Sequence, residues 1–309
     1  MFDMVCKAGS YVAFPNLFGG LKFPVNRVAF TLFGVDIQWY GVIIGLGVLL
    51  CVILGLRACR HYGIETDDLL DYFLVSFPAA IVGARAYYVI FNFQRYKDNW
   101  IEIFNYREGG LAVYGGILAA MLAVLCVAKA KKKHTFLQLA DFAAPYLLLG
   151  QAIGRWGNFF NQEAYGGLTD LPWGMTGSRI TGVVHPTFLY ESLWCFLGFA
   201  VILLYRRSRF KQACGECICL YMILYGLERS FVEGLRTDSL YIGDTGIRVS
   251  QLLSIVLLVL GIVLFIWLRK RSVCTGTISG SEEKDLATGF EETMAHLAEQ
   301  NEGSEQDGE

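Results

Sequence analysis

The stretch that decides the fold runs from Phe136 to Gly167. Its first part, "FLQLADFAAPYLLLGQAI", is apolar and looks membrane-buried, and its second part, "GRWGNFFNQEAYGG", begins at Gly154. An arginine, two asparagines, a glutamine and a glutamate come together where the apolar run ends. Polar groups are costly near lipid, so a cluster of this kind usually serves a function. We therefore expect a membrane helix that leads into a polar site.

The composition of the chain agrees with a membrane protein. Of its 309 residues, 54% are hydrophobic and only 17% are charged, whereas soluble domains carry about 25% charged residues. No cleavable signal peptide is apparent at the start of the sequence. A membrane-spanning helix needs about 20 mostly apolar residues. The sequence predicts an all-α polytopic membrane protein with about seven transmembrane helices, at 39–56, 69–91, 111–128, 136–153, 187–205, 214–232 and 249–268.

Lysine and arginine are distributed unevenly between the two sides of these helices. Thirteen of them fall in four short segments on one side, and eleven are spread over much longer segments on the other. The density of positive charge near helix ends sets orientation, with the positive side in the cytoplasm. We expect the N-terminus outside, the C-terminus in the cytoplasm and residues 154–167 at the outer face. The four short segments lie around residues 57–60, 129–133, 206–211 and 269–271.

The pattern divides the chain into three parts. Residues 1–38 form an N-terminal outer segment with short β-like runs such as "RVAFTLF", and residues 39–271 form the seven-span domain. Residues 272–309 carry ten acidic residues against Lys284 alone. Such a composition is typical of a disordered tail, here on the cytoplasmic side.

The first polar cluster is the end of the opening stretch. Arg155, Asn158 and Gln162 follow i, i+3 and i+7 spacing, so they share one helical face if the helix continues. A helix end whose caps are satisfied would explain one such arginine. Function is the better interpretation for an arginine, two asparagines and a glutamate within nine residues.

The second cluster is "YGLERSFVEGLR" at the end of the sixth segment. Its members Tyr225, Arg229, Glu233 and Arg236 fall on one stripe of a helix. Two arginines on one stripe can hold a phosphate or carboxylate through paired hydrogen bonds. The alternative is a structural ladder of arginine–glutamate pairs, and both hold together if Glu233 orients the arginines.

Two further clusters are less specific. In "HPTFLYE", His185 is compatible with a base or a polar anchor, and Glu191 needs a partner, for which Arg85 of "GARAYY" is the candidate. In "GGLAVYGG", glycines flank Tyr114 and allow another helix or a ligand to approach closely. Arginines, amides and phenols at one face of a membrane suit an anionic, lipid-borne substrate, and a phosphate diester fits best.

These motifs resemble a known family. Residues 154–166 match the signature G-R-x-G-N-F-x-N-x-E-x-x-G of the bacterial prolipoprotein diacylglyceryl transferases at every fixed position. The resemblance covers about residues 30–270. Supporting matches are "WYG" at 39–41, "GAR" at 83–85, the glycine pairs at 109–116, "HP" and "LYE" within 185–191, and the spaced arginines and glutamate of 225–236.

The resemblance implies a reaction and its partners. Members of the family move the diacylglyceryl group of phosphatidylglycerol onto the lipobox cysteine of a preprolipoprotein signal peptide, which forms a thioether and releases glycerol phosphate. It implies a multi-pass protein of the bacterial cytoplasmic (inner) membrane, in contact with membrane lipids, with the active site toward the outer face. No cofactor, metal or nucleic acid is expected.

The resemblance also assigns roles to residues. Arg155 and Arg229 are expected to hold the phosphate, and Tyr114 and His185 are the other catalytic candidates. Where this chain has Tyr114, many members carry a histidine that is often proposed as the base for the thiol. A phenol of pKa about 10 is a poor base at neutral pH. A thiol of pKa about 8.5 is already partly ionised at that pH. Further contacts to phosphatidylglycerol are expected from Asn158, Asn161, Glu163, Tyr40 and Tyr225. The supporting residues are expected to be Glu233, Arg236, Gly166, Arg85 and Glu191.

Two other functional classes remain open from the residues alone. A transporter of an anionic lipid or solute is compatible with seven spans and buried arginine–glutamate pairs, although the polar residues gather near one face only. An intramembrane protease is disfavoured because no serine–histidine pair is apparent, and Asp71 and Asp141 lie toward the cytoplasmic ends of their segments.

Overall fold

The computed structural model of the chain describes residues 10–17, 19–97, 99–104, 109–237 and 248–271. It is mostly helical, as the sequence predicts. The α-helices are α1 (Trp39–Ala58), α2 (Thr66–Phe91), the single turn α3 (Phe93–Tyr96), α4 (Val113–Lys131), α5 (Phe136–Asn161), α6 (Thr187–Arg207), α7 (Glu216–Leu235) and α8 (Val249–Arg271). Short 3₁₀ turns cover Cys59–Tyr62 and Trp100–Phe104. Each of the seven predicted segments is a helix, with ends that move by up to eight residues.

Two small sheets accompany the helices. Their strands are β1 (Tyr11–Phe14), β2 (Leu21–Pro24), β3 (Val28–Leu32), β4 (Val35–Gln38), β5 (Met175–Gly177) and β6 (Ile180–Val184). One sheet has the order β2-β1-β5-β6 with antiparallel neighbours, and the other is the hairpin of β3 and β4. The β-like runs expected before residue 39 are therefore regular strands. The acidic tail that we predict at 272–309 lies outside the described residues.

The chain forms two compact units. The described residues up to 57 and from 139 onward make the first unit, and residues 58–138 make the second. In the first unit, buried side chains from the four-stranded sheet pack with Phe159 of α5 and Phe188 of α6. Because both phenylalanines join one core, the end of α5 and the start of α6 are held side by side under the sheet.

Six helices in the described part of the chain are long and apolar enough to cross a membrane: α1 with its following turn, α2, α4, α5, α6 and α8. Helix α7 is 20 residues long, the length that a bilayer requires. Each of the other six contains an 18-residue apolar stretch with at most two charged residues, whereas α7 carries Glu216, Glu228, Arg229 and Glu233 within 18 residues. The chain is therefore a polytopic helical protein, and α7 is its most polar long helix.

The first turn of α7 is held by a group of charged residues that we call the α7 start cluster (Asp141, Tyr205, Lys211, Glu216 and Arg269). Asp141 accepts the backbone N–H groups of Cys217 and Ile218 through Oδ1, and its Oδ2 lies 2.9 Å from Lys211 Nζ. Glu216 accepts Arg269 Nε through Oε1 at 2.9 Å and the Tyr205 hydroxyl through Oε2 at 2.8 Å. Each carboxylate oxygen in this cluster therefore has a partner.

In the second unit, α2 and α4 pack at glycines. A Cβ added to Gly115 would collide with Tyr87 and with the carbonyl oxygen of Gly83, so the two helices approach backbone to backbone. Arg85 is buried and donates to the carbonyl oxygens of Glu102, Ile103, Gly109 and Gly110. The glycines beside Tyr114 thus serve helix packing, and Arg85 joins the 3₁₀ turn Trp100–Phe104 to Gly109 and Gly110, which precede α4.

Candidate active site

A single buried carboxylate links two arginines in the first unit. Glu191, in the first turns of α6, is 1% exposed and lies 2.9 Å from Arg155 Nε through Oε2 and 2.7 Å from an Arg229 terminal nitrogen through Oε1. The other terminal nitrogen of Arg229 lies 2.6 Å from Glu233, one turn along α7. We call these four residues the arginine cluster (Arg155, Glu191, Arg229 and Glu233). Because Glu191 touches both, guanidinium groups from α5 and α7 are brought together.

The arginine cluster corrects one expectation from the sequence. We expected Glu191 to pair with Arg85, but its partners are Arg155 and Arg229, and Arg85 donates to carbonyl oxygens of the second unit. The predicted Glu191–Arg85 pair was wrong because several arginines on different helices are possible partners for one buried acid. Sequence spacing cannot select among residues on different helices.

The two arginines differ in how many of their guanidinium nitrogens contact carboxylates. Both terminal nitrogens of Arg229 contact carboxylates. Arg155 contacts Glu191 through Nε only, so its two terminal nitrogens have no partner among the described residues, and its side chain is 22% exposed. A guanidinium group with two parallel N–H donors available can bind a phosphate through both. Arg155 is therefore the open anion-binding group, and Arg229 is the anchored one.

The amides of the motif are held by Glu163. Asn161 donates to Glu163 Oε1 at 2.9 Å and Asn158 at 3.4 Å, and Arg27 donates to the Asn161 carbonyl oxygen. The helix ends at Asn161, and Gln162 takes a left-handed conformation with φ 54°. The condition for a face shared with Arg155 and Asn158, that the helix continues to Gln162, is not met, and this turn directs Gln162 away.

Gln162 instead fastens the sheet to α5. Its buried side chain hydrogen-bonds Ser10, Ser178 and the backbone N–H of Arg179. These contacts join the start of β1 and the β5–β6 turn to the residue after α5. These contacts fix the direction in which the polar segment after Gln162 leaves the end of α5.

Of two tyrosines of the predicted site, Tyr40 packs against the motif and Tyr225 lies on α7. A Cβ on Gly157 would lie 2.5 Å from the Tyr40 ring, so that glycine makes room for Tyr40. Tyr225 stacks on Tyr221 with ring centroids 5.8 Å apart, and Gln151 donates to the Tyr221 hydroxyl. The polar residues of α5 and α7 thus continue below the arginine cluster.

His185 lies in a chain of hydrogen bonds at the start of α6. Trp173 Nε1 donates to the Tyr190 hydroxyl at 2.8 Å, and that hydroxyl lies 3.3 Å from His185 Nδ1. Gly166 has no room for a side chain, because a Cβ would lie 2.8 Å from His185 Cβ. Gly166 also forms a bridge to Arg236 at the end of α7. The glycine therefore ties the end of the motif to both His185 and Arg236.

Tyr114 belongs to the second unit, in the first turn of α4, and its side chain is 47% exposed. Arg85 also belongs to the second unit. The other predicted residues all belong to the first unit: Arg155, Asn158, Asn161, Glu163, Tyr40, Tyr225, Arg229, Glu233, Arg236, Gly166, Glu191 and His185. No group of three or more histidine, cysteine, aspartate or glutamate side chains in the described ranges is arranged to hold a metal ion.

Sequence reasoning missed Glu228. This carboxyl group is 4% exposed, and neither of its oxygens has a hydrogen-bond partner among the described residues. It interacts electrostatically with Glu191, Arg155 and Arg229. The sequence does contain a signal for Glu228, because an acid inside an apolar helix is costly and usually functional. Glu228 lies outside the stripe of Tyr225 and Arg229, from which the site residues on this helix were predicted.

Comparison with known proteins identifies the family. The family model described as prolipoprotein diacylglyceryl transferase matches residues 27–267. The chain belongs to this family. Prolipoprotein diacylglyceryl transferases are transferases, so this family membership, together with the six apolar helices, makes the chain a multi-pass membrane protein of a transferase family.

Several curated relatives carry the name phosphatidylglycerol–prolipoprotein diacylglyceryl transferase. The protein from Finegoldia magna is 50% identical over 250 residues, which cover 81% of this chain and 98% of that protein. The protein from Clostridioides difficile is 44% identical over 249 residues, 80% of this chain and 97% of that protein. The protein from Clostridium kluyveri is 48% identical over 255 residues, 80% of this chain and 98% of that protein.

Proposed function

We propose that this protein transfers the diacylglyceryl group of phosphatidylglycerol to the lipobox cysteine of a preprolipoprotein, the first step of bacterial lipoprotein maturation. The observation that carries the proposal is the arginine cluster, in which Glu191 joins arginines from two helices and the two terminal nitrogens of Arg155 have no partner within the described ranges. This arrangement suits a lipid phosphate at the end of the membrane helices. Family membership supplies the reaction class.

In this proposal the arginines stabilise the leaving group. The cysteine Sγ forms a bond to the glyceryl carbon while the bond from that carbon to the phosphate oxygen breaks, so negative charge grows on glycerol phosphate. Fixed cations in a site with little water stabilise such charge strongly. Arg155 binds the phosphate oxygens, and Glu191 and Glu233 hold Arg229 beside it. Asn158, Asn161 and Tyr40 lie along the same helix end to contact the headgroup, with Glu163 orienting the amides.

His185 acts in this proposal as a positioned donor. An indole N–H can only donate, so the Tyr190 hydroxyl accepts from Trp173 and keeps its own proton, which in this proposal it donates to His185 Nδ1. A neutral imidazole then carries its proton on Nε2. The lipobox thiol needs no strong base, because its reference pKa of about 8.5 leaves a few per cent thiolate at pH 7, and nearby arginines raise that fraction. Tyr114 orients the headgroup or the thiol.

We further propose that α7 is the seventh span. Its first residue, Glu216, binds Tyr205 at the end of α6 and Arg269 at the end of α8, while Gln251 near the start of α8 donates to the Ser230 carbonyl oxygen near the end of α7. These contacts support an antiparallel path between two apolar helices. Seven crossings also put all four lysine- and arginine-rich segments on one side, which six crossings would not.

This topology places the N-terminus and the arginine cluster at the outer face of the cytoplasmic membrane, and the C-terminus in the cytoplasm. The outer segment 1–38, the catalytic domain 39–271 and the acidic cytoplasmic tail 272–309 keep their proposed boundaries. A reporter fused after Arg271 should therefore lie in the cytoplasm, and one inserted near Gly167 should lie outside. A cytoplasmic reporter at Gly167 would reject the orientation.

The activity is tested with purified protein, phosphatidylglycerol and a lipobox peptide. A mass increase of one diacylglyceryl group on the cysteine, through a thioether, is the expected result. The same peptide with serine in place of its cysteine is the control and should remain unmodified. Movement of lipid or solute across vesicles without any modified peptide would favour the rival transporter.

A further inference from the structure

Glu228 is a buried carboxyl group whose acceptor positions no described residue uses. Its 4% exposure places it among the most buried charged side chains, and both of its oxygens lack a hydrogen-bond partner in the described ranges. Leaving such a group unpaired costs about 1–3 kcal/mol. Native proteins pair nearly all buried polar atoms, so an unused buried carboxyl group calls for a specific explanation.

Among the described residues, Glu228 lacks the ordinary explanation for a buried acid, an ion pair. The neighbouring acids each bind an arginine, Glu191 to Arg155 and Arg229, and Glu233 to Arg229. Glu228 makes no such contact in the part of the chain that the structure describes, although it interacts electrostatically with both arginines. It therefore stands beside the arginine cluster without belonging to it.

The chemistry of the lipid supplies a partner for it. In phosphatidylglycerol the phosphate is followed directly by a glycerol with two hydroxyl groups, so a headgroup hydroxyl lies only a few bonds from the phosphorus. A phosphate on Arg155 therefore brings these hydroxyl groups to the neighbourhood of Glu228. A carboxyl group accepts hydrogen bonds from hydroxyl groups, whereas the arginines, which only donate, serve the phosphate.

We propose that Glu228 accepts hydrogen bonds from the headgroup hydroxyl groups and thereby selects phosphatidylglycerol among phosphodiester lipids, an inference that rests on the proposed function. A site built to bind a substrate hydroxyl discriminates strongly against an analogue that lacks it, because the buried polar group is then left unpaired. The arginines recognise the phosphate that all such lipids share, and Glu228 recognises the alcohol that distinguishes them.

The test compares three donors with the same acyl chains: phosphatidylglycerol, phosphatidyl ethylene glycol and phosphatidylethanol, with two, one and no headgroup hydroxyl groups. The kcat/KM of lipobox-peptide modification is measured for wild type, Glu228→Met and Glu228→Gln. The matched control is Glu65→Gln, because Glu65 is an exposed acid in the second unit. Wild type should fall on the order of tenfold from the first donor to the last, as one lost hydrogen bond of about 1.4 kcal/mol implies.

Glu228→Met should remove this selectivity by lowering turnover of phosphatidylglycerol toward that of phosphatidylethanol, while Glu228→Gln, which keeps an acceptor oxygen, should retain most of it. Equal use of the donors by wild type, or unchanged selectivity in folded Glu228→Met, overturns the inference. The wild-type comparison needs no variant to fold.

The failure of the proposed function has a different signature, the absence of modified peptide from every donor. Retention of the lipids by the protein in native mass spectrometry then tests Glu228 separately. Preferential retention of phosphatidylglycerol that is lost in Glu228→Met supports the role of Glu228 in headgroup recognition, and equal retention of all three lipids overturns it.

Discussion

The arginine cluster and the α7 start cluster use the same chemistry at opposite ends of α7, and they differ in completeness. In the α7 start cluster the oxygens of Asp141 and Glu216 all have partners, several of them backbone N–H groups. In the arginine cluster, two nitrogens of Arg155 have no partner in the described part of the chain, and neither do the two oxygens of the neighbouring Glu228. A saturated cluster fastens helices together. An unsaturated one retains capacity to bind a substrate.

The largest effect, on the free energy of unfolding, should come from removing a carboxylate from the α7 start cluster. Asp141→Leu removes the acceptor for the first backbone N–H groups of α7 and leaves Lys211 without its carboxylate. We expect the free energy of unfolding to fall by about 3–5 kcal/mol, the cost of breaking a buried pair. Unfolding in mixed micelles measures this loss, and turnover per folded molecule should be unchanged. Lower turnover in the folded fraction would show that the two clusters do not have separate roles.

The second-largest effect, on kcat/KM, should distinguish the arginine cluster from the α7 start cluster. Arg155→Lys and Arg229→Lys keep the positive charge but lose the planar pair of donors. We expect each to lower kcat/KM by about 2 kcal/mol or more, roughly 30-fold. The same change in the saturated cluster, Arg269→Lys, is the matched control and should stay near the wild-type rate. Wild-type turnover in either folded lysine variant would remove that arginine from the phosphate site.

A residue outside both clusters sharpens the contrast further. Tyr114→Phe removes only a hydroxyl group, so a positioning role predicts a loss of about 1 kcal/mol, roughly fivefold. Tyr114→His should be tolerated, because it places the commoner family residue at the same point. Rates from pH 6 to 10 for both variants and wild type provide the measurement, after subtraction of the thiol's own titration. Complete inactivity of folded Tyr114→Phe at every pH would make the phenol essential.

The smallest effect should come from an ion pair in water. Lys133 lies between α4 and α5, is 51% exposed, and contacts Glu65 and Asp68. Its hydrogen bond to Glu65, and then that to Asp68, raises the pKa of Lys133 above the ordinary 10.5. The raised pKa means that its stabilising contribution is complete below pH 10.5 and is lost as the pH rises through the folded value. Lys133→Met should lower the thermal midpoint slightly at pH 8, and the difference should shrink above pH 11 and in high salt. A difference that grew with pH would contradict this sign.

The helices were predictable because apolar length is a local property. All seven segments were located, yet the expected end of α5 at residue 153 fell short of Asn161. The hydropathy of the segment drops at Gly154, but the helix continues because Phe159 packs into the core beneath the sheet. Hydropathy reports contact with lipid, whereas helix ends depend on packing that the pattern does not contain.

The site was predictable in its residue types and less so in its pairings. Arg155 and Arg229 were expected from the motifs, and Glu191 was expected to need a partner. Which arginine it takes depends on how α5, α6 and α7 are placed, and no spacing within one helix encodes this. The sequence shows Glu228 as an acid within an apolar helix, but only the structure shows that its oxygens have no hydrogen-bond partner among the described residues.

The pairing of β1 with β5 has a consequence for how the protein is made. Val12 pairs with Gly177, so a strand near the start of the chain must wait for residues that follow α5. At the usual synthesis rate of about 5–20 residues per second, the separation corresponds to roughly 8–33 seconds. During that interval, the paired strands β1 and β2 lack β5 and β6 while several helices enter the membrane. The four-stranded sheet is therefore a late product of biogenesis, and Gln162, which ties Ser10 to Ser178, can close only after this delay.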